Sequence, residues 1–425
     1  MESPPSDDAV PCHFLCPISL QLMTDPVTVA TGITYDRRHI HHWLFSRNRD
    51  TCPVTNQTLA VKDLTPNLTL RRLIHSWSTT TNYHNIAPIH YTKSHISQLL
   101  AAAAAESTSP TPQLIDSLSR LRSVAAESEP TRIQLRAGST AGFLASVVIA
   151  NSFLELGVEA DHHMSSSRAV DESLAILHHI GLADSDLKKL GTEFVDSLVR
   201  VMENYYSNSN SKRDHHQSRA YATILLRSAF RAADPIQLVN ARSEIFAAVV
   251  GVLRDRISES ATKAALKFLI EVSPWGRNRI KAVEGGAVAA LIELLLESDH
   301  SSSAARRATE LAMRGVEVMC GCAEGRAEVV GHAAGLAVVS KKMLRVSHAA
   351  TDGAVRIVAA VSRYSATKGV VAEMAEVGVV AKLCLLLQVD VSWKSKEKAR
   401  EVLRAHSRAW RNSPCIPPHL ISSFP

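Results

Sequence analysis

Three glycines in the C-terminal half set a register that the chain repeats. From Gly286, apolar residues fall at offsets of two, five, six and nine as Val288, Leu291, Ile292 and Leu295. From Gly378 the same offsets give Val380, Leu383, Cys384 and Leu387. Between them, Gly335 leads Leu336, Val339 and Met343, a related stripe one position early. Spacings of three and four are those of a helix face. The glycines lie 49 and 43 residues apart, a period that suits a solenoid of helical repeats. One such unit cannot bury its apolar stripe alone, so neighbours must stack, leaving a groove on which an extended protein segment can lie.

Composition agrees with stacked helices better than with a β-sandwich. Of 425 residues, 46% are hydrophobic and only 5% aromatic, with Ala, Leu, Val and Ser dominant. The formal net charge of +6 is spread without a dense basic block, so nucleic acid is not expected as a partner. Seven cysteines, an odd and scattered set, and a start without a basic apolar leader point to a reducing intracellular compartment. The longest uncharged stretch, Ala137 to Leu154, is broken by Gly138, Ser139, Thr140, Gly142, Ser146, Asn151 and Ser152. It makes a poor membrane span and reads as a buried helix hairpin, and no transmembrane segment is expected.

The repeat region is placed at 113–412, with polar loops at Asp161 to Ser167, Asn204 to Arg219 and Ser298 to Ser303. Residues 1–9 are taken as a disordered N-terminus and 413–425 as a tail. Residues 85–112 read as a linker, because Ile86-Ala87-Pro88 and Ser107-Thr108-Ser109-Pro110-Thr111-Pro112 flank one short helical run, Ser94 to Ala105. Ser109 and Thr111 each precede a proline and are candidate phosphorylation sites; turn chemistry is the competing reading.

Residues 10–84 have a different texture, that of a small α+β module. Strand-like Val27-Thr28-Val29 and Ile33-Thr34-Tyr35 flank Ala30-Thr31-Gly32, a hairpin turn with its glycine. A helix follows with Asp36 as cap and Ile40, Trp43 and Leu44 on one face. A second helix starts after Asn67, with Leu70, Leu73, Ile74 and Trp77 as its apolar stripe. Two short motifs, Cys16-Pro17-Ile18-Ser19 and Cys52-Pro53-Val54-Thr55, stand 36 residues apart. Each looks like a C-x-x-C zinc motif with one cysteine changed to a neutral hydroxyl that cannot replace a thiolate. His13, His39, His41 and His42 lack the paired spacing that would complete a site, so neither a metal nor any other cofactor is expected.

Taken in order, Phe14-Leu15-Cys16-Pro17-Ile18-Ser19-Leu20, Asp25-Pro26-Val27, Thr31-Gly32-Ile33-Thr34-Tyr35-Asp36-Arg37, Trp43-Leu44, Cys52-Pro53-Val54-Thr55 and Leu64-Thr65-Pro66-Asn67 resemble the U-box, a zinc-free RING-like fold. Asn278-Arg279-Ile280 through Glu284-Gly285-Gly286-Ala287-Val288 to Leu295 is similar to an armadillo repeat. The whole is therefore mainly α, a small U-box followed by an armadillo-type solenoid. That combination resembles the plant U-box type of E3 ubiquitin ligase. The Trp77-containing helix and short linker resemble its immune and stress-response branch.

The resemblance implies hydrogen bonds and ion pairs in place of zinc, with Ser19 and Thr55 as the replacements and Cys16, Tyr35, Asp36 and Cys52 as structural residues. It implies a ubiquitin-conjugating enzyme (E2), loaded with ubiquitin as a thioester, on the U-box and a protein substrate on the repeats. No covalent intermediate on this chain is expected, so no residue is a catalytic nucleophile. Ile18, Leu20, Trp43 and Pro53 would face the conjugating enzyme, all apolar as an interface core requires. For Trp43 a packing role competes, whereas Ile18, in a loop after a proline, is expected to be less needed in a core than Ile40 or Leu73. Asn56 occupies the position where some active U-boxes carry a basic residue that contacts both enzyme and ubiquitin. Homo- or hetero-oligomers fit the family, as does a cytoplasmic location, with nuclear or peripheral membrane association through partners.

The alternative from another class is a non-catalytic armadillo adaptor with an inactive U-box. Conventional catalysis finds no support: there is no G-x-S-x-G elbow, P-loop or dinucleotide glycine fingerprint, and Cys320-Gly321-Cys322 is too short for C-x-x-C. The pairs His162-His163, His178-His179 and His215-His216 are assigned no function. Lys263, Lys267, Arg277, Arg279 and Lys281 are a candidate basic stretch of the groove that would prefer acidic targets, with simple solvation of a helix face as the competing reading.

Overall fold

The computed structural model describes residues 11–46, 49–59, 64–80, 98–101, 103–104, 110–127, 129–136, 139–152, 160–203, 212–298 and 302–410. It divides into two compact units, Met1–Thr92 and Lys93–Pro425.

The first unit is built around a three-stranded antiparallel sheet of order β2-β1-β3, with β1 at Pro26–Thr28, β2 at Thr34–Asp36 and β3 at Thr65–Pro66. Gly32, at φ +80°, lets the β1–β2 turn close, and its N–H donates to the Val29 carbonyl at 2.9 Å. Helix α1 (Arg37–His41) begins where the Asp36 side chain accepts from the Arg38 N–H, and it continues as a wider-wound turn over His42–Ser46. Helix α2 (Leu68–Thr80) begins where Asn67 accepts from the Leu70 N–H at 3.0 Å. Both caps satisfy backbone donors that would otherwise be left free. Phe14, Val27, Tyr35, Ile40, Leu44 and Ile74 fill the core.

Three details differ from the pattern expected of the sequence. The two hairpin strands are shifted by about one residue, and β3, only two residues long, carries no alternation to read. Leu73 is 54% exposed. Leu70, Ile74 and Trp77 form the stripe that meets the core, and Leu73 lies about 100° around the helix from Ile74, on the flank.

The second unit is helical throughout its described residues. Helix α3 (Pro112–Glu127) leads, and the helices after it fall into triplets. These are α4 (Glu129–Arg136), α5 (Thr140–Ser152) and α6 (Ala160–Ile180); α7 (Asp184–Lys189), α8 (Gly191–Glu203) and α9 (Lys212–Ala232); and α10 (Pro235–Val239), α11 (Ser243–Asp255) and α12 (Glu259–Val272). Then come α13 (Asn278–Glu284), α14 (Ala287–Glu297) and α15 (Ser303–Met319); α16 (Ala323–Gly331), α17 (Gly335–Lys342) and α18 (His348–Tyr364); and α19 (Lys368–Glu376), α20 (Val379–Gln388) and α21 (Trp393–Ala405), closed by the short α22 (Ser407–Trp410). The third helix of each triplet packs on the third helix of the next, so α3, α6, α9, α12, α15, α18 and α21 form one row.

The glycine-led stripes are the buried faces of the second helices. Val288, Leu291, Ile292 and Leu295 are buried, as are Val380, Leu383 and Cys384, while Leu387 is half-buried. Gly286 and Gly378 sit just before α14 and α20 at φ +83° and +77°, a conformation glycine adopts without penalty. Gly335 is glycine for another reason, which explains its early register: it lies inside the first turn of α17, where a Cβ would overlap the Val329 carbonyl oxygen.

Basic side chains tie successive repeats together through carbonyls. Lys281 donates to the Ala241 carbonyl at 2.5 Å, Lys342 to the carbonyl and hydroxyl of Ser298 at 2.8 and 2.9 Å, and Lys382 to the Ser340 carbonyl, each in the preceding triplet. Lys281 is thereby removed from the candidate basic stretch. Lys263 and Arg277 are exposed, and Lys267 and Arg279 half-buried.

Several loop expectations are corrected. Residues 161–167 lie in α6 and 212–219 in α9, so the histidine pairs assigned to loops lie on helices; 204–211 fall outside the described residues. Thr140–Ser152 is one helix, not a hairpin. Its polar residues do not break it because they bond back to carbonyls one turn earlier, Ser146 to Phe143 at 2.7 Å and Asn151 to Val147 at 2.9 Å. Ser109, most of 85–112, and the segments 1–9 and 413–425 fall outside the described residues. Thr111 is described, and its hydroxyl accepts from the Leu114 N–H at 3.1 Å to cap α3. Among the described residues no helix is long and apolar enough to cross a membrane.

The two glycines that bracket the α16–α17 turn separate steric need from sequence preference. A Cβ at Gly331 meets nothing within 4 Å, whereas at Gly335 it strikes backbone. Gly335→Ala should lower the thermal midpoint of the repeat region by several degrees, with a cost of about 2–3 kcal/mol or more. Gly331→Ala should stay within about 0.5 kcal/mol of wild type. Circular dichroism melts of the two variants check the contrast.

Candidate functional site

In the first unit the two cysteine motifs fold into the same loop twice. Cys16 N–H donates to the Gln21 carbonyl at 2.7 Å and Leu20 N–H to the Cys16 carbonyl at 2.8 Å. Thirty-six residues on, Cys52 N–H donates to Gln57 at 2.9 Å and Asn56 N–H to Cys52 at 2.9 Å. The stems match as well, with Leu15 bridged to Leu22 and Thr51 to Thr58. Each loop ends on a residue in the left-handed region without being glycine, Leu20 at φ +57° and Asn56 at φ +55°. Asparagine tolerates that conformation, whereas leucine in it costs about 1–2 kcal/mol.

Strand β2 holds both loops through adjacent residues. Asp36 N–H donates to the Cys16 sulfur at 3.3 Å, and the Tyr35 hydroxyl meets the Cys52 sulfur at 3.0 Å while accepting from the Val54 N–H at 3.3 Å. Thr31 adds a hydroxyl donor to Cys52 at 3.3 Å. Both sulfurs are fully buried. Burial pushes the Cys52 thiol up, yet the donors from Thr31, Thr55 and Tyr35 bring it down to about 6. Burial, and then the bond to Cys52, push the Tyr35 hydroxyl well above its ordinary value. Of the two hydroxyls that replace cysteines, Thr55 works in this way, whereas the buried Ser19 Oγ finds no hydrogen-bond partner among the described residues. The Asp36 backbone supplies the first loop instead.

The Asp36 carboxylate gathers a second set of bonds. It accepts from Thr24 N–H at 2.8 Å, Thr24 hydroxyl at 2.9 Å, Asp25 N–H at 3.2 Å and Arg38 N–H at 3.2 Å. Burial works against ionisation here, but these donors outweigh it and hold the carboxyl below its ordinary value. Arg37 pairs with Asp25 at 2.6 Å, and Arg71 of α2 approaches the same carboxylate at 3.9 Å. Among the described residues no three His, Cys, Asp or Glu side chains converge where a metal could be held.

Against this frame the candidate contact residues divide. Leu20 is 74% exposed, and Asn56 is exposed at the tip of the second loop. Ile18 and Trp43 are half-buried and pack on the core, so Ile18 is less buried than Ile40, as expected, but more so than Leu73, where the expectation fails because Leu73 falls on the flank of α2. Trp43 also donates from Nε1 to the Thr51 carbonyl at 2.9 Å, tying the helix to the second loop, and Pro53 is half-buried. Cys16, Tyr35, Asp36 and Cys52 are all buried and form the frame itself. Val54, 52% exposed, and Phe45, 49% exposed, belong to the same loops and helix and were not singled out from the sequence. The 36-residue offset that pairs Val54 with Ile18 was the available signal.

Two family descriptions match the chain: the U-box domain over residues 10–82 and the plant U-box protein ARM repeat region over residues 95–424. Among curated relatives, E3 ubiquitin-protein ligase PUB22 of Arabidopsis thaliana is 42% identical across 98% of this chain and 98% of its own length. E3 ubiquitin-protein ligase PUB23 of the same plant is 42% identical across 98% of this chain and 97% of its own. E3 ubiquitin-protein ligase PUB24 is 32% identical across 98% and 96%.

The Asp36 network gives a pH dependence of defined sign. A carboxyl whose folded pKa is depressed adds stability that is complete above its unfolded value, about 4. That stability is lost as pH falls through the lower, folded value. Denaturation of the U-box unit should therefore become easier as pH drops below about 4. Asp36→Asn should flatten that limb and lower stability at neutral pH by about 1–3 kcal/mol. Urea titrations across the acid range, followed by Trp fluorescence, check both.

Proposed function

The chain belongs to the plant U-box proteins with an armadillo-repeat region, the family of E3 ubiquitin ligases that its relatives represent, and on that basis we propose how it acts. The U-box recruits a ubiquitin-loaded conjugating enzyme, and the repeats hold a protein substrate. Ubiquitin then passes directly from the enzyme's thioester to a substrate lysine. Proximity and restraint of the thioester raise the effective concentration of the attacking lysine, with no covalent intermediate on this chain.

The observation that carries this reading is the pair of matched loops that expose apolar side chains on a hydrogen-bonded frame. An exposed leucine held in a strained backbone conformation is costly in isolation, and such strain collects at functional sites. Leu20 and Val54 supply the apolar contact, Pro53 and Trp43 its margin, and Ile18 both contact and support. Asn56 reaches the enzyme and ubiquitin as a neutral hydrogen-bonding group.

The same proposal assigns the protein to the cytoplasm, with nuclear or peripheral membrane association through partners, which rests on the odd and scattered cysteines. It also assigns it to defence or stress signalling, which rests on the resemblance of the Trp77-containing helix and linker. Unchanged immune and stress responses in a plant lacking it would contradict that part. Phosphorylation at Ser109 or Thr111 is a further proposal; for Thr111 the modified hydroxyl is the cap of α3.

Leu20→Ala separates contact from folding because the side chain is exposed. It should slow discharge of ubiquitin from a loaded conjugating enzyme to free lysine by about tenfold, the cost of one interface anchor. The melting curve should be unchanged. Ile18→Ala should slow discharge and also lower the melting point. Asn56→Arg should speed discharge by adding a charge, at a stability cost of about 1 kcal/mol or less for the left-handed position. Equal rates for wild type and Leu20→Ala would remove the loop from the mechanism, and no acceleration by wild type with any conjugating enzyme would favour the adaptor reading.

A further inference from the structure

Most arginines on the described third helices have a carboxylate in reach. Arg122 pairs with Glu172, Arg219 with Asp255, Arg227 with Glu271, and Arg314 and Arg356 share Glu317. Around the turn Cys320-Gly321-Cys322, between α15 and α16, the pattern changes. Arg279, Arg326 and Arg363 have no carboxylate at ion-pair distance among the described residues. The guanidinium of Arg279 lies against Gly321 so closely that a Cβ there would stand 2.8 Å from its Cζ, and its Nε is buried without a hydrogen-bond partner. Arg326 is fixed beside it, donating from Nη1 to the Cys320 carbonyl at 3.0 Å and from Nε to the Ser365 hydroxyl at 3.3 Å.

The same Arg326 stands 5.0 Å from the ring centre of Tyr364, and Arg363 stands 5.4 Å from it. Tyr364, at the end of α18, is 62% exposed. Cation–π contact orients both guanidiniums without neutralising them. Two acids lie near the turn: Glu324, in the first turn of α16, interacts with the Cys322 thiol, and Glu317, already bonded to Arg314 and Arg356, with Cys320.

We propose that Arg279, Arg326, Tyr364 and Arg363 form a docking site for an acidic, carboxylate-rich segment of a partner protein. This rests on the reading that the repeats hold the substrate, and it names the chemistry they select. Arg363, exposed, presents its whole planar fork to a carboxylate, and Arg326, whose Nε and Nη1 bond to Ser365 and Cys320, keeps Nη2 to offer. The three charges come from three different helices, α13, α16 and the end of α18, and two of them, Arg326 and Arg363, share the Tyr364 ring. A segment that carries several carboxylates can engage cations supplied by three helices at once. The exposed ring offers the segment an apolar surface between charges.

The test is fluorescence anisotropy on the full chain, with a short labelled glutamate-rich peptide, its glutamine counterpart, and a glutamine peptide carrying one phosphoserine. The glutamate peptide should bind with an affinity that falls as salt is added, and the glutamine peptide should not bind. Arg363→Glu, at an exposed position, should weaken binding about tenfold. Arg279→Glu should do the same, with its melting curve showing whether the Gly321 contact is disturbed. Arg120→Glu, on α3, should leave binding unchanged. Ubiquitin discharge to free lysine should be equal in all of these variants, so failure of this site is distinguished from failure of the ligase reading. No binding of the glutamate peptide, binding indifferent to Arg363→Glu, or tighter binding of the phosphoserine peptide would each overturn the proposal.

Discussion

The first unit depends on two neighbouring residues of one short strand. Tyr35 points its hydroxyl at one cysteine and Asp36 its backbone N–H at the other, so loops that start 36 residues apart in sequence are held by adjacent positions of β2. In a RING-like fold of this size the core alone is small, and the loops need a second source of rigidity. Here that source is a set of donors converging on two buried sulfurs and one buried carboxylate. Each bond is worth about 1 kcal/mol net, but leaving any of these buried groups unpaired costs more. The arrangement therefore acts as a set, and its product is the placement of Leu20, Val54 and Asn56 at the surface.

The second unit solves a different problem. Each triplet is too small to bury its own stripe, so stability comes from the row of third helices and from lysines that cross to carbonyls of the preceding repeat. These links are spent on holding repeat to repeat, which takes Lys281 out of the candidate basic stretch. Arg279 and Arg326, neither with a carboxylate at ion-pair distance among the described residues, meet at one turn, Arg279 against Gly321 and Arg326 on the Cys320 carbonyl.

Much of this was legible in the sequence where local chemistry dominates. Asp36 and Asn67 as caps, Gly32 in the hairpin turn, and the stripes after Gly286 and Gly378 follow from backbone donors and helical spacing alone. What escaped was decided by tertiary contact. Strand β3 is two residues long and exists because β1 offers an edge. Leu73 looks like a core residue by spacing but falls on the flank. Ala137 to Leu154 reads as a helix hairpin, and Thr140–Ser152 is one helix because Ser146 and Asn151 bond back to carbonyls. Among the site residues, exposure divided what composition could not: Ile18 and Leu20 are both apolar loop residues, and only the left-handed turn at Leu20 shows which one faces out.

The central claim is that hydrogen bonds, with no metal, hold the loops in the form that activates a ubiquitin-loaded conjugating enzyme. The most direct measurement is the rate of ubiquitin discharge to free lysine by the full chain before and after exhaustive treatment with a strong zinc chelator. The account predicts acceleration over the conjugating enzyme alone and the same rate in both preparations. Loss of activity on chelation, restored by added zinc, would contradict it.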